Sequence, residues 1–224
     1  MTTVEAAPFE PDDMLPFDAE SLFAFFAQYN RAIWPAQIFA WLLGVAALVL
    51  AVRPFGASGR LIGAILLAAW AFSAVVFHYL HFATINFMAP FYAPFFLAEA
   101  VLIGWALIIR ARTFRFRPNL SGWAGLTLVG FALVASPLID GLAGHGWPSA
   151  RLVGVTPDAT VLLTVGLLLL IDGRVPLYLL VIPMLWAIVG GWTAWFIEAP
   201  EDLILPALSF LGICLAVLGY RRPA

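Results

Sequence analysis

Seven long apolar stretches constrain this chain more than any other feature of its sequence. A helix needs roughly 20 such residues to cross the hydrocarbon core of a bilayer. The stretches cover residues 33–52, 61–82, 91–109, 122–142, 156–171, 175–197 and 203–219. They are apolar on all sides, whereas transmembrane strands alternate apolar and polar residues. The pattern therefore predicts an all-α membrane protein with a bundle of seven transmembrane helices.

The basic residues mark one end of this predicted bundle. All eleven are arginines, and nine lie in alternate connections: Arg53, Arg60, Arg110, Arg112, Arg115, Arg117, Arg174, Arg221 and Arg222. Only Arg31 and Arg151 lie in the other connections, together with most of the acidic residues. Cytoplasmic loops of membrane proteins carry the excess of arginine and lysine. The sequence therefore predicts an N-terminus outside and a C-terminus inside.

The composition excludes several functions. Charged residues make up 11% of the chain, less than half the share of about 25% in soluble domains. Lysine is absent, so the chain cannot form the Schiff base that holds retinal or pyridoxal phosphate. Cys214 is the single cysteine, which excludes an intramolecular disulfide and a cysteine-based zinc site. We expect the lipid bilayer as a partner, no nucleic acid, and no cofactor other than a possible divalent metal.

The residues before the first stretch divide into two parts. Residues 1–13 are acidic and lack apolar periodicity. Residues 14–32 begin with a candidate N-cap, Asp18, and run into apolar residues at helical spacing: Leu22, Phe25, Phe26, Tyr29 and Ile33. An amphipathic helix that precedes a span is typical of a segment lying flat in the membrane interface. The alternative is that it forms the leading turns of the first span.

Polar residues inside a membrane are energetically expensive and often mark functional sites. In the predicted orientation, several fall in the outer half of the bundle: His78, His81, Asn86, Tyr92, Glu99, Asp140 and His145. Glu99 is the one acid well inside a stretch, roughly 12 Å below its outer end at 1.5 Å per residue. We therefore predict a polar site in which Glu99 carries a proton or binds a cation. A neutral, hydrogen-bonded structural glutamate is the alternative.

A metal site is a further hypothesis for the same region. His78 and His81 are three residues apart and so share one face of an α-helix. Together with Glu99, Asp140 or His145 they would supply a site of three or four ligands for zinc or a similar divalent ion. The alternative is a pair of interfacial histidines that hydrogen-bond their neighbours.

The connection after the third stretch concentrates positive charge. It contains four arginines within eight residues: Arg110, Arg112, Arg115 and Arg117. One interpretation is a binding site for anionic lipid. The other is an anchor that only sets topology. In the sixth stretch, Pro183 predicts a kink, because proline removes one helical hydrogen bond.

Short motifs recur along nearly the whole chain, in segments 14–17, 29–37, 85–86, 144–148, 154–157, 174–178 and 190–191. The motif around the first span is carried by Tyr29, Asn30, Trp34, Pro35 and Gln37. These segments resemble a bacterial family of polytopic membrane proteins called domain of unknown function 6064. The resemblance implies a multi-pass protein of the bacterial inner membrane, and it brings no activity, substrate or cofactor. The chain departs from the family pattern after Pro157, where Asp158-Ala159 stands in place of Cys-Pro.

Three functions fit these observations. The first is a small permease, or a membrane protein that binds a small molecule or ion, with its polar site in the outer half. The second is a membrane-embedded metal-dependent hydrolase using His78, His81 and His145. It is similar in helix count to the alkaline ceramidases, but residues 203–219 lack their His-x-x-x-His pair. The third is a non-catalytic subunit or scaffold, as a homo-oligomer or in a larger complex. No motif names a reaction, which favours a non-enzymatic function.

Overall fold

Apolar segments of this length form helices because a helix satisfies its own backbone hydrogen bonds. The computed structural model describes residues 15–142 and 146–221. Within these residues we number the main helices in chain order: α1 (Ala19–Ala32), α2 (Ala36–Val52), α3 (Ser58–Thr84), α4 (Ala89–Ile109), α5 (Leu120–Leu142), α6 (Pro157–Leu168), α7 (Leu177–Phe196) and α8 (Pro200–Gly219). The described part of the chain contains no strand beyond one isolated antiparallel bridge, between Phe114 and Ile171.

Five of these helices, α3, α4, α5, α7 and α8, are long and apolar enough to cross a membrane. Helices α1 and α2 meet at 90° and count together as a sixth, broken span. By length and composition the chain is therefore a multi-pass helical protein with five or six candidate spans. The predicted count of seven is not confirmed.

Helix α6 is the main reason for this difference. It has 12 residues, about 18 Å at 1.5 Å per residue, which is short of a bilayer core about 30 Å thick. It packs against α2, α3, α5, α7 and α8, and eleven of its residues are buried. A helix buried on every side is apolar all round, as a membrane span is. The apolar stretch 156–171 therefore contains the central helix of the bundle, and the chain leaves the helix after Leu168.

The connections gather at two ends of the bundle, in the two sets that the arginine pattern predicts. At one end, which we call the acidic end, Asn30 of α1 bonds to Pro148 and Ala150 of the connection before α6. At the other, the arginine end, the Arg115 N–H donates to Leu170 O over 2.9 Å, and Asp172 N–H donates to Thr113 O over 2.8 Å. These bonds join the α4–α5 connection to the α6–α7 connection.

Helix α1 begins at Ala19, capped by Asp18, whose carboxylate accepts from Ser21 N–H over 2.8 Å. Its aromatic face is covered by protein. The Phe25 ring lies 5.6 Å from that of Phe77 and 5.3 Å from that of Phe82, both of α3. The face that the sequence assigned to the membrane interface therefore packs against the acidic end of the bundle.

Pro183 lies near the start of a helix. A short 3₁₀ segment, Leu177–Leu180, precedes the α-helical part of α7, Val181–Phe196. The first N–H groups of an α-helix have no partner within the helix, so proline costs little there. Pro183 therefore stands in the first turn of this α-helix, instead of the helix interior where the kink was expected.

Candidate functional site

His78 is enclosed by aromatic rings. It lies in a π-helical part of α3, Ser73–His81, and such irregular helical segments are frequent at functional sites. Five rings surround its imidazole at centroid distances from 4.5 to 6.2 Å: Phe77, Phe82, Tyr92, Phe96 and Trp186. We call these rings the aromatic box. His78 is fully buried, and among the described residues neither ring nitrogen has a hydrogen-bond partner.

Glu99 is a second buried group of this kind. It shares the buried face of α4 with Phe96 of the aromatic box, one helical turn further along. Its side chain is fully buried, and within the described part of the chain both carboxyl oxygens lack a hydrogen-bond partner. Polar groups buried without partners are costly, and in membrane proteins they mark pathways for ions and protons.

Arg151 is the centre of a charged cluster at the acidic end. Its Nη2 lies 2.6 Å from Asp140 Oδ1, and its Nε and backbone N–H donate to Asp140 Oδ2 over 3.1 and 2.7 Å. The same Nη2 lies 2.7 Å from Asp202 Oδ1, which is ion-pair distance without the alignment of a hydrogen bond. All three residues are buried. With Asp158, they form what we call the Arg151 cluster.

The cluster explains why Arg151 departs from the arginine pattern. Burial by itself lowers the pKa of Arg151, but hydrogen bonding to Asp140 and the charges of Asp202 and Asp158 outweigh it and raise the pKa above the ordinary value. The guanidinium therefore stays charged and is neutralised within the fold. Its position reflects an internal ion pair, whereas Arg115, Arg117 and Arg174 lie together at the arginine end.

Trp186 connects the aromatic box to the Arg151 cluster. Its indole N–H donates to Asp158 Oδ1 over 2.8 Å, and its ring centroid lies 5.0 Å from that of His78. Asp158 is half-buried in the first turn of α6. One side chain thus contacts the buried histidine on α3 and the carboxylate on the central helix.

A cavity of about 110 Å³ lies between these two groups. We call it the acidic-end cavity. One part of its wall is aromatic, from Phe77, Phe82, Tyr92 and Trp186, and another part is polar, from Asn86, Arg151, Asp158 and Asp202. Since a water molecule occupies roughly 30 Å³, the cavity has room for a few waters or one small solute.

The structure brings together most of the residues predicted for the polar site, in two neighbouring groups. His78 and Tyr92 meet in the aromatic box, Asn86 lines the cavity, and Asp140 belongs to the Arg151 cluster. Glu99 lies one turn beyond the box on α4. His145 lies outside the described residues.

His81 does not join His78. Its ring packs against Tyr29 at a centroid distance of 5.2 Å, and its Nδ1 lies 2.8 Å from Val76 O. A π-helix has more residues per turn than an α-helix, so two residues three apart in this segment do not share a face as they would in an α-helix. Within the described residues, no group of three or more His, Cys, Asp and Glu side chains is arranged to hold a metal ion.

The residues with motif spacing around the first span fix the position of α1. Tyr29 donates its hydroxyl to Val155 O over 2.6 Å, and Asn30 Nδ2 donates to Pro148 O and Ala150 O over 2.8 and 2.9 Å. Gln37 Nε2 donates to the backbone oxygen of Asn30. These bonds hold α1 across the acidic end of the bundle. The role of these motif residues is therefore structural, and they position α1 next to the acidic-end cavity.

Reasoning from sequence missed four polar or indole side chains of the site: Arg151, Asp158, Trp186 and Asp202. Arg151 was visible only as an exception to the arginine pattern, and Asp158 only as a departure from the family pattern. Trp186 had no signal, because nothing in the sequence distinguishes it from the other eight tryptophans or indicates its partners. Their association depends on contacts between α5, α6, α7 and the connection before α6.

Comparison with known protein families assigns the chain to a family over most of its length. Comparison with curated proteins and with solved structures gave no match. A family of unknown function (DUF6064) matches residues 19–224, a range that includes every helix described above and both parts of the candidate site. The resemblance seen in the sequence motifs is thereby confirmed, and the chain belongs to the family of unknown function DUF6064.

Proposed function

We propose that this chain is a small permease, or a membrane protein that binds a small solute, and that its ligand is a small cation held in the acidic-end cavity. The observation that carries the proposal is the wall of that cavity, where aromatic rings face a cluster richer in carboxylates than in guanidinium groups. Ligand sites commonly combine an apolar enclosure with a few convergent polar groups.

The charge of the cluster favours a cation. Arg151 is the one guanidinium near the cavity in the described residues, and its charge is shared between Asp140 and Asp202. Asp158 accepts a hydrogen bond from a neutral indole. Two carboxylates, Asp158 and Asp202, line the cavity beside one guanidinium, and an excess of carboxylates favours a positive solute over an anion.

The aromatic wall favours the same class of ligand. Ring faces attract ammonium groups, most strongly those of tryptophan, and the wall includes Trp186, Tyr92 and Phe77. The volume of about 110 Å³ limits the solute to a few heavy atoms. A small ammonium ion satisfies the charge, the rings and the size.

Buried polar groups beyond the cavity favour transport over binding alone. Thr156, just before α6, and Thr160 and Thr164 within it follow each other at four-residue spacing and are fully buried. Each hydroxyl donates to the backbone oxygen four residues earlier, and Thr164 Oγ1 also accepts from the Trp70 indole N–H over 2.9 Å. Together with Glu99, these groups extend the polar part of the interior away from the acidic end, which favours a path for a cation or proton.

The membrane placement belongs to the proposal. With the arginine end in the cytoplasm, the acidic-end cavity would lie in the outer half of a bacterial inner-membrane protein. The two alternative functions, a metal-dependent hydrolase and a non-catalytic scaffold, remain predictions from the sequence. No specific observation among the described residues favours either.

Methylammonium binding and uptake test the proposal. We expect methylammonium to raise the melting temperature of the purified protein and to enter proteoliposomes that contain it. Asp158→Asn removes a cavity carboxylate while keeping an acceptor for Trp186. We expect the rise in melting temperature at a given methylammonium concentration and the rate of uptake each to fall at least tenfold. The matched control is Asp172→Asn, at the arginine end, which should behave as the parent does.

The two measurements separate the two forms of the proposal. Binding without uptake would support a binding protein and reject a permease. Equal behaviour of Asp158→Asn and the parent protein would overturn the assignment of the cavity, as would the absence of any response to methylammonium.

A further inference from the structure

The arginine end has its own polar pocket, separate from the acidic-end cavity. It has a volume of about 170 Å³. Three arginines line it: Arg115 and Arg117 from the α4–α5 connection, and Arg174 from the α6–α7 connection. Asn119 and Ser121, at the start of α5, complete its polar wall. We call it the arginine pocket.

The fold builds this pocket by holding two loops side by side. The bridge between Phe114 and Ile171 joins them, and Phe114 is buried while the arginines beside it are exposed. Gly173, in the second loop, has a φ of +110°, a conformation that favours glycine. The turn at Gly173 leads directly to Arg174, which thereby faces the same hollow as Arg115 and Arg117.

The described residues that line the pocket include three arginines and no acidic residue. Asp172, which precedes Gly173 in the second loop, pairs with Arg117. That pair is largely exposed, with 56% of the arginine side chain and 31% of the aspartate side chain accessible. An exposed ion pair of this kind is weak, so an anion of higher charge can compete for Arg117.

We propose that the arginine pocket binds a phosphate group, from a lipid headgroup or from free phosphate. Guanidinium groups recognise phosphate oxygens through paired hydrogen bonds, and Ser121 supplies a hydroxyl donor on the same wall. The proposal reduces the number of arginines in the anionic-lipid site that the sequence suggested. Arg115 and Arg117 belong to the pocket, whereas Arg110 lies over the Trp105 ring with its Cζ 5.3 Å from the ring centre.

The test uses purified full-length protein in a neutral detergent, with two probes. One arm titrates inorganic phosphate at constant ionic strength, with chloride as the reference anion. The other adds phosphatidylglycerol, with phosphatidylcholine as the reference lipid. We expect at least one phosphate-bearing probe to raise the melting temperature above its reference.

The variants are Arg115→Gln and Arg174→Gln, one from each loop. Each substitution should raise the probe concentration that gives half of the maximal rise in melting temperature by about tenfold. A tenfold change corresponds to the loss of one charge-assisted contact worth roughly 1.4 kcal/mol. The matched controls are Arg53→Gln and Arg60→Gln. Both arginines are exposed at the same end and neither lines the pocket, so both controls should respond as the parent does.

Each outcome decides the proposal. A response to phosphatidylglycerol alone supports a lipid headgroup, a response to inorganic phosphate alone supports free phosphate, and a response to both probes supports phosphate from either source. No response to either probe overturns the proposal, and so does an equal loss in the Arg53 and Arg60 controls. If a glutamine variant fails to fold, Arg174→Lys replaces it, since lysine keeps the charge but not the paired geometry. Its affinity for radiolabelled phosphate in equilibrium dialysis should then fall below that of the parent.

Discussion

The guanidinium of Arg151 lies within 3.1 Å of Asp140 and 2.7 Å of Asp202, with only 6% of its side chain exposed. Its Cζ also lies 5.9 Å from the centre of the Phe26 ring of α1. These contacts join the end of α5, the start of α8 and the helix that covers both. At the scale of single residues, Arg151 is therefore the side chain on which the acidic end depends most.

Arg151→Met tests this dependence. The substitution leaves Asp140 and Asp202 buried without their cation, and breaking a buried ion pair in this way costs about 3–5 kcal/mol. We expect the free energy of unfolding to fall by that amount in a reversible denaturant titration in detergent. Arg117→Met, in phosphate-free buffer, is the control, because its exposed pair with Asp172 is worth less than about 1 kcal/mol. Equal losses in the two variants would contradict the assignment.

His78 and His81 show how far sequence reasoning reaches at this scale. The sequence identifies both as polar residues near one end of a span, and the structure agrees. The sequence cannot predict that the segment is π-helical, because this winding depends on how the segment packs against α4 and α7. That winding directs His78 into the aromatic box and leaves His81 against Tyr29.

At the scale of elements, the contact between α5 and α6 is notably close. A Cβ added at Gly125 of α5 would lie 2.7 Å from the backbone oxygen of Gly166 in α6, and one at Gly166 would lie 3.0 Å from the backbone oxygen of Gly125. Small residues that let backbones approach are typical of helix pairs in membrane proteins. The central helix is therefore held by backbone proximity to α5.

Gly125→Ala tests the importance of this contact. The added methyl group meets backbone, which cannot move aside as a side chain can, and overpacking of this kind costs about 1–3 kcal/mol. The melting temperature should fall accordingly. Gly130→Ala, in the same helix, meets no atom within 4 Å and should leave stability unchanged or slightly raised. A neutral Gly125→Ala would show that the two helices are less tightly packed than described.

Helix α6 also defines the limit of prediction for elements. Its apolar sequence correctly predicts a helix whose side chains are removed from water. It cannot report whether those side chains contact lipid or other helices, because both environments select apolar residues. Only its 12-residue length and the helices packed around it separate a central helix from a span.

At the scale of the whole molecule, the two proposed sites lie at opposite ends. The acidic-end cavity is built from α1, α3, α4, α6, α7 and α8, and the arginine pocket from two connections and the ends of α5 and α8. If the arginine end faces the cytoplasm, a solute site faces outward and a phosphate site faces inward.

Cysteine labelling in intact bacterial cells tests this orientation. In a Cys214→Ala background, Phe87→Cys reports on the acidic end and Phe55→Cys on the arginine end. Both phenylalanines lie in connections and are exposed, by 67% and 58%, which makes them a matched pair. We expect a membrane-impermeant maleimide to label position 87 in intact cells and position 55 only after the cells are opened. The reverse pattern would invert the proposed topology.

The sequence by itself determined that the chain is helical and multi-pass, which connections share an end, and which family it belongs to. These properties follow from local composition and from the alternation of apolar and charged segments, so one sequence is enough to read them. The tertiary structure decided that α6 is central, that Arg151 is neutralised by Asp140 and Asp202, and that Trp186 joins His78 to Asp158. Each of these depends on contacts between residues far apart in the chain, because the free energy of a buried charge or ring is set by its neighbours in space.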